Sequence, residues 1–115
     1  MNHATLVSLL KKPGDTIADS ISPAKADLLH MGIGLSGEVG ELLDSIKRHC
    51  IYSQPLDLVN LIEELGDIEF YLEGLRQNLG ISREETIGNN IAKLSKRYPN
   101  LTYTDTHAKE RLDKQ

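Results

Sequence analysis

From Leu58 to Leu79 an apolar residue returns at every third or fourth position without a break, at Leu58, Leu61, Leu65, Ile68, Leu72, Leu75 and Leu79. That alternation matches the period of an α-helix and is out of step with the two-residue period of a strand. The segment is thereby confined to a long amphipathic helix. Upstream, Leu28, Gly32, Leu35, Val39, Leu42 and Ile46 keep the same alternation. Between the two seams lies IYSQPL, Ile51 to Leu56, a short proline-containing loop that makes the flanking helices antiparallel neighbours. The fold class that follows is all-α, an antiparallel helical bundle of about four helices. At 115 residues the chain is one domain's worth, small enough that the bundle is expected to be completed by oligomerisation.

End signals divide the rest of the chain. Ala4 to Lys11 reads as a short helix stopped by Pro13 and Gly14, and a second brief helical stretch includes Ile17 and Ile21. Ser22 as N-cap with Pro23 at the first helical position opens a long helix that reaches about Cys50. Asp57 caps the helix that ends at Leu79, with Gly80 as its C′ residue. Ser82 and Glu85 form a capping box for a helix from Arg83 to about Tyr98, whose seam is Ile87, Ile91, Leu94 and Tyr98. Residues 1–115 are expected to form a single domain with its core at about 22–99. The polar tail after Pro99, residues 100–115, is expected to be a loose arm or to wrap a neighbouring protomer.

Two acidic strings, GEVGELLD and EELGDIEF, supply the candidate chemistry: Glu38 with Glu41, and Glu64 with Asp67, each pair three residues apart on one helix face. With the seam positions labelled a and d, Glu38 and Glu64 both fall at g, and Glu41 and Asp67 both at c. In an antiparallel pair the g flanks face each other, so the four carboxylates are expected to converge on one cleft. Like charges at ~5 Å repel by roughly 3 kcal/mol per pair at an effective dielectric near 20. A cation is therefore required, and hard oxygen ligands suit Mg²⁺, with Mn²⁺ as a substitute. The other acids, Asp44, Glu63, Glu69 and Glu73, are assigned to solvent or ordinary ion pairs.

Cations lie on neighbouring flanks. In the last long helix Thr86, Asn90, Lys93 and Arg97 form the flank that corresponds to the acidic ones, where an amide and two cations either neutralise the cleft or grip a polyphosphate. Lys47, Arg48 and His49 close the first long helix, where opposing the helix dipole is reason enough for them. Gly34 and Ser45 are small residues on the acidic flank, serving close helix packing or leaving room for a substrate. Asn60 and Tyr71 extend the second acidic flank, and Tyr52 sits in the loop, either as ligand contacts or as inert cover.

Several function classes are excluded or disfavoured. Net charge is −4 with no basic block, so no nucleic acid is expected as partner. The single cysteine, Cys50, allows no internal disulfide, and with no signal-peptide pattern or long apolar run the expected setting is cytoplasmic, with no membrane. The four histidines are scattered without zinc-ligand spacing, and no phosphate-binding glycine loop or nucleophile elbow is present.

The strings GLSGEVGELLD, LDLVNLIEELGDIEFYL and NNIAKLSKRYP resemble the MazG-like members of the all-α NTP pyrophosphatase superfamily over roughly residues 25–99. The resemblance implies a Mg²⁺-dependent nucleotide pyrophosphohydrolase. Such an enzyme cleaves nucleoside triphosphates between the α and β phosphates to a monophosphate and pyrophosphate, in nucleotide pool control or cleansing. It further implies Glu38, Glu41, Glu64 and Asp67 as metal-binding and catalytic residues, substrate contact by Lys47, Asn90, Lys93 and Arg97, and a homodimer or homotetramer. The competing class is a non-catalytic helical interaction module with an acidic cation-binding cleft. Base preference does not transfer with the resemblance, since this chain carries one module rather than the tandem form.

Overall fold

The computed structural model describes residues 1–115, and the chain is helical with no strand. Its elements are α1 (His3–Leu10), α2 (Gly14–Ser20), α3 (Pro23–Cys50), α4 (Leu58–Leu79), α5 (Arg83–Arg97), α6 (Asp105–Glu110) and a closing 3₁₀ turn, Leu112–Lys114. The ends of the long helices follow from local chemistry. The Ser22 hydroxyl accepts the Lys25 N–H at the start of α3, and the Asp57 carboxylate accepts the Asn60 N–H at 3.1 Å to open α4. Beyond α4, Gly80 takes φ +69°, the Ile81 N–H donates to the Arg76 carbonyl and the Gly80 N–H to that of Gln77. This is a Schellman closure, and it needs a residue without Cβ strain in the left-handed region. Ser82 and Glu85 then form both arms of the capping box, each at 3.0 Å. The loop after α3 is closed by the His49 ring, whose Nδ1 lies 2.7 Å from the Gln54 carbonyl.

Two units make up the chain, Met1–Tyr71 and Leu72–Gln115. In the first, α3 and the N-terminal part of α4 run antiparallel, and three cross-connections fix their register. Asn60 donates to Ser45 at 2.7 Å, Glu64 meets Glu38, and the Tyr71 ring fills the notch at Gly34. As numbers fall along α3 they rise along α4. The half-buried positions of α3 are Leu28, Met31, Gly32, Gly34, Leu35, Glu38, Leu42 and Ser45, and those of α4 within this unit include Asn60, Leu61, Glu64, Ile68 and Tyr71. This stripe is turned by about one residue from the expected seam. Val39 and Ile46 are left 46% and 40% exposed, and Leu58 and Leu65 60% and 52%. The sequence seam therefore serves two faces, one used within the chain and one left apolar and open. No apolar side chain of the chain is fully buried.

In the second unit the tail departs from the expectation of a loose arm. Thr104 caps α6 by accepting the His107 N–H at 3.0 Å, and the Tyr103 hydroxyl donates to Asp105 at 2.7 Å. Arg111 turns the chain in the left-handed region at φ 50°, and the 3₁₀ turn brings Asp113 against α5. There the Arg97 guanidinium donates twice to the Asp113 carboxylate, at 2.8 and 3.2 Å. That bidentate pair, with Tyr98 against the rings of Tyr103 and His107, is what holds the tail down. No helix is long and apolar enough to cross a membrane.

Candidate metal centre

Glu38 and Glu41 project from α3 and Glu64 from α4, and one carboxylate oxygen of each lies within 4.8 Å of the others. The antiparallel register brings Glu38 and Glu64 together inside the helix pair, and Glu41, one turn on, closes the group from its exposed side. One oxygen each of Glu38 and Glu64 is buried without a hydrogen-bond partner. Carboxylates only accept, so two facing each other are satisfied in one of two ways, by a shared proton or by a cation. The first shows in Glu64, whose carboxyl is pushed up to about 7 by proton sharing with Glu38, then by burial and by the charges of Glu41 and Glu38. The second is what a divalent ion supplies, and an all-oxygen acidic donor set fits a hard cation. Asp67, on α4 at an exposed position, lies outside this group of three.

A cavity of about 450 Å³ opens beside the cluster, lined by Gly37, Gly40, Glu41, Asp44, Ser45, Arg48, Asn60 and Glu64. Ser45 is its hub: the hydroxyl oxygen accepts from Asn60 at 2.7 Å and from Arg48 at 3.3 Å, tying α4 to the end of α3. Asn60 is thus a structural tie as well as a wall of the cavity. At Gly34 the question of packing or space resolves as packing, because a Cβ there would overlap the Tyr71 ring. Tyr71 is also held edge-on by Phe70, with ring centroids 5.1 Å apart. At Gly37 and Gly40 the space is real, since a Cβ on either would meet nothing within 4 Å.

The cations divide differently from their sequence assignment. Lys47 reaches Asp44 at 3.2 Å and stands 5.8 Å over the Tyr52 ring, away from the cavity lining. Arg48, read from sequence only as a helix-end charge, is the cation that lines the cavity. A signal for it was present, because Arg48 follows Glu41 by seven residues and shares its flank. Asn90, Lys93 and Arg97 all lie on α5 in the second unit. Asn90 is exposed, and Lys93 lines a separate cavity of about 300 Å³ with Lys96, Asp113 and Lys114. Arg97 is committed to Asp113, which holds the guanidinium above its ordinary pKa and is itself held below the usual carboxylate range.

An all-helical protein that gathers acidic side chains from two antiparallel helices into one cation-seeking cluster is the class that this fold and site define. Residues 27–102 match the family model of the MazG nucleotide pyrophosphohydrolase domain, and the chain belongs to that family. The family's hydrolase activity on nucleotides is the activity class that comes with membership. No curated protein and no solved structure matches the chain.

Proposed function

We propose that the protein is a Mg²⁺-dependent nucleoside triphosphate pyrophosphohydrolase, converting (d)NTP to (d)NMP and pyrophosphate in nucleotide pool control or cleansing. The observation that carries this reading is the facing pair of buried, unpartnered oxygens on Glu38 and Glu64, with Glu41 beside them. Those three residues would hold the ion, with Asp67 as a further carboxylate on α4. Held there, Mg²⁺ or Mn²⁺ would supply neutralisation of phosphate charge and a lowered pKa for bound water. One of the carboxylates would take the proton of the water that bonds to the α phosphorus, as the bond from that phosphorus to the α–β bridging oxygen breaks and pyrophosphate leaves. Lys93, which makes no ion pair, and Asn90 are proposed phosphate contacts, with Lys47 at the edge of α3. Arg97 takes that role only by exchanging Asp113 for phosphate.

A second copy of the chain is part of the proposal, as a homodimer or homotetramer. Val39, Leu43, Ile62, Leu65 and Phe70 are 46–65% exposed on the long helices, apolar surface that a partner helix face would cover. The test is pyrophosphate release from a panel of ribo- and deoxynucleoside triphosphates with Mg²⁺, beside Glu64→Gln. Pyrophosphate with the matching monophosphate, lost in the variant, is the expected result. Release of single phosphates would move the cleavage site, and no turnover with either metal would favour a binding module.

A further inference from the structure

We infer that Arg48 is the residue that binds the terminal phosphates of the substrate, the pair that leaves as pyrophosphate, with Ser45 as its positioning residue. The inference rests on the proposed triphosphate chemistry and adds to it a residue and a subsite. The cavity that opens from Glu41 and Glu64 is walled by a hydroxyl, an amide, a guanidinium and carboxylates, and no aromatic or large apolar side chain lines it. Such a wall offers a nucleobase no aromatic or apolar face and offers a phosphate chain hydrogen bonds. Gly37 and Gly40 keep it open, and Glu41 and Glu64 belong both to the carboxylate cluster and to its wall.

Within this lining Arg48 is the single cation. Its Nε approaches Asp44 at 3.3 Å and its Nη2 donates to Ser45 at 3.3 Å. These two contacts fix the guanidinium plane and leave its other N–H donors uncommitted. Asp44 is not the partner of Arg48 alone, because the same carboxylate also binds Lys47 at 3.2 Å, so one carboxylate is shared between two cations. Arg48 is therefore the one cationic donor that the cavity offers, and its carboxylate partner is shared with a second cation outside the lining. A planar fork there matches the oxygens of a phosphate in a way an ammonium does not.

The test measures binding of Mn²⁺, of inorganic pyrophosphate with Mn²⁺, of a nucleoside monophosphate and of a non-hydrolysable nucleoside triphosphate. The wild type is compared with Arg48→Gln and Arg48→Lys. Loss of charge-assisted hydrogen bonds is expected to weaken pyrophosphate and the triphosphate analogue by about tenfold to a hundredfold in Arg48→Gln. Mn²⁺ and the monophosphate, which has no terminal phosphates, are expected to bind as in the wild type, and Arg48→Lys is expected to recover part of the loss. Unchanged pyrophosphate binding in Arg48→Gln would overturn the inference, as would an equal loss for monophosphate and pyrophosphate. Should Arg48→Gln fail to fold, Arg48→Lys carries the test: pyrophosphate binding at wild-type strength with the planar fork gone would overturn it. A wild-type protein that binds neither pyrophosphate nor any triphosphate would instead sink the proposed function itself, a failure visible before any variant is compared.

Discussion

Glu38 and Glu64 meet across the antiparallel α3–α4 pair with one oxygen each buried and no donor to satisfy either. An arrangement of this kind destabilises the metal-free protein and stabilises the loaded one, because the cation removes the repulsion that folding created.

Glu64→Gln separates the two effects. The amide removes one charge and adds a donor to Glu38, so the metal-free variant is expected to melt a few degrees higher than the wild type at pH 8. Mg²⁺ or Mn²⁺ is expected to raise the Tm of the wild type and to raise that of the variant little. Thermal melts with and without chelator check both signs. A variant that melts lower than the metal-free wild type would show that the cluster is not repulsive.

The raised pKa of Glu64 sets a pH dependence. Its carboxyl moves from an ordinary value of 4.5 to about 7 in the folded chain. Between those values the folded state binds a proton that the unfolded state has released, so stability falls as pH rises through the window. The contribution is fully present below about 4.5 and lost above about 7. Metal-free melts are expected to show a decline across this range that saturating Mg²⁺ flattens. Metal affinity is expected to climb over the same range, since the proton must leave first. Melting curves at fixed ionic strength from pH 4.5 to 8 decide it.

How much of this was legible beforehand depended on whether the signal was local. Ser22, Pro23, Gly80 and the Ser82–Glu85 box act within one helical turn, and each sits where its chemistry demands. The meeting of Glu38 with Glu64 was legible too, because antiparallel register follows from a short loop. The rotation of the stripe was not. Val39 and Leu65 are as apolar as Leu35 and Leu61, and nothing in a periodic pattern separates a face used within the chain from one left open. Arg97 shows the other limit. Its partner Asp113 lies 16 residues on, beyond a left-handed turn at Arg111 that carries no glycine to announce it.

The Arg97–Asp113 pair makes its own prediction. The Asp113 carboxyl is held below its ordinary value, mainly by hydrogen bonding to Arg97, so its stabilising contribution is present above the unfolded value of 3.8. It is lost as pH falls through the lower, folded value. Asp113→Asn is expected to loosen the tail at neutral pH and to speed proteolytic cleavage between Tyr98 and Thr104, leaving Mn²⁺ binding at the carboxylate cluster unchanged. Limited proteolysis beside a metal titration reads both. Equal cleavage rates for variant and wild type would mean that the ring contacts of Tyr98 hold the tail without the ion pair.

Gly34 and Gly37, three residues apart on α3, are expected to answer the same substitution with opposite signs. Alanine in a helix interior gains up to about 1 kcal/mol over glycine. At position 34 the added methyl overlaps the Tyr71 ring, itself held edge-on by Phe70, and overpacking of this kind costs about 1–3 kcal/mol. Gly34→Ala is thus expected to lower stability, and Tyr71→Ala in the same chain to relieve part of the loss. At position 37 the methyl meets no atom within 4 Å, so Gly37→Ala keeps the full propensity gain and is expected to raise the Tm by a few degrees. The same methyl enters the cavity beside Glu41 and Arg48, where a phosphate chain is proposed to lie. Its KM for nucleotide is expected to rise as its stability does, with Mn²⁺ affinity unmoved. Melting curves and steady-state kinetics on the two alanine variants test the pairing, and a Gly37→Ala protein with wild-type KM would place the substrate elsewhere.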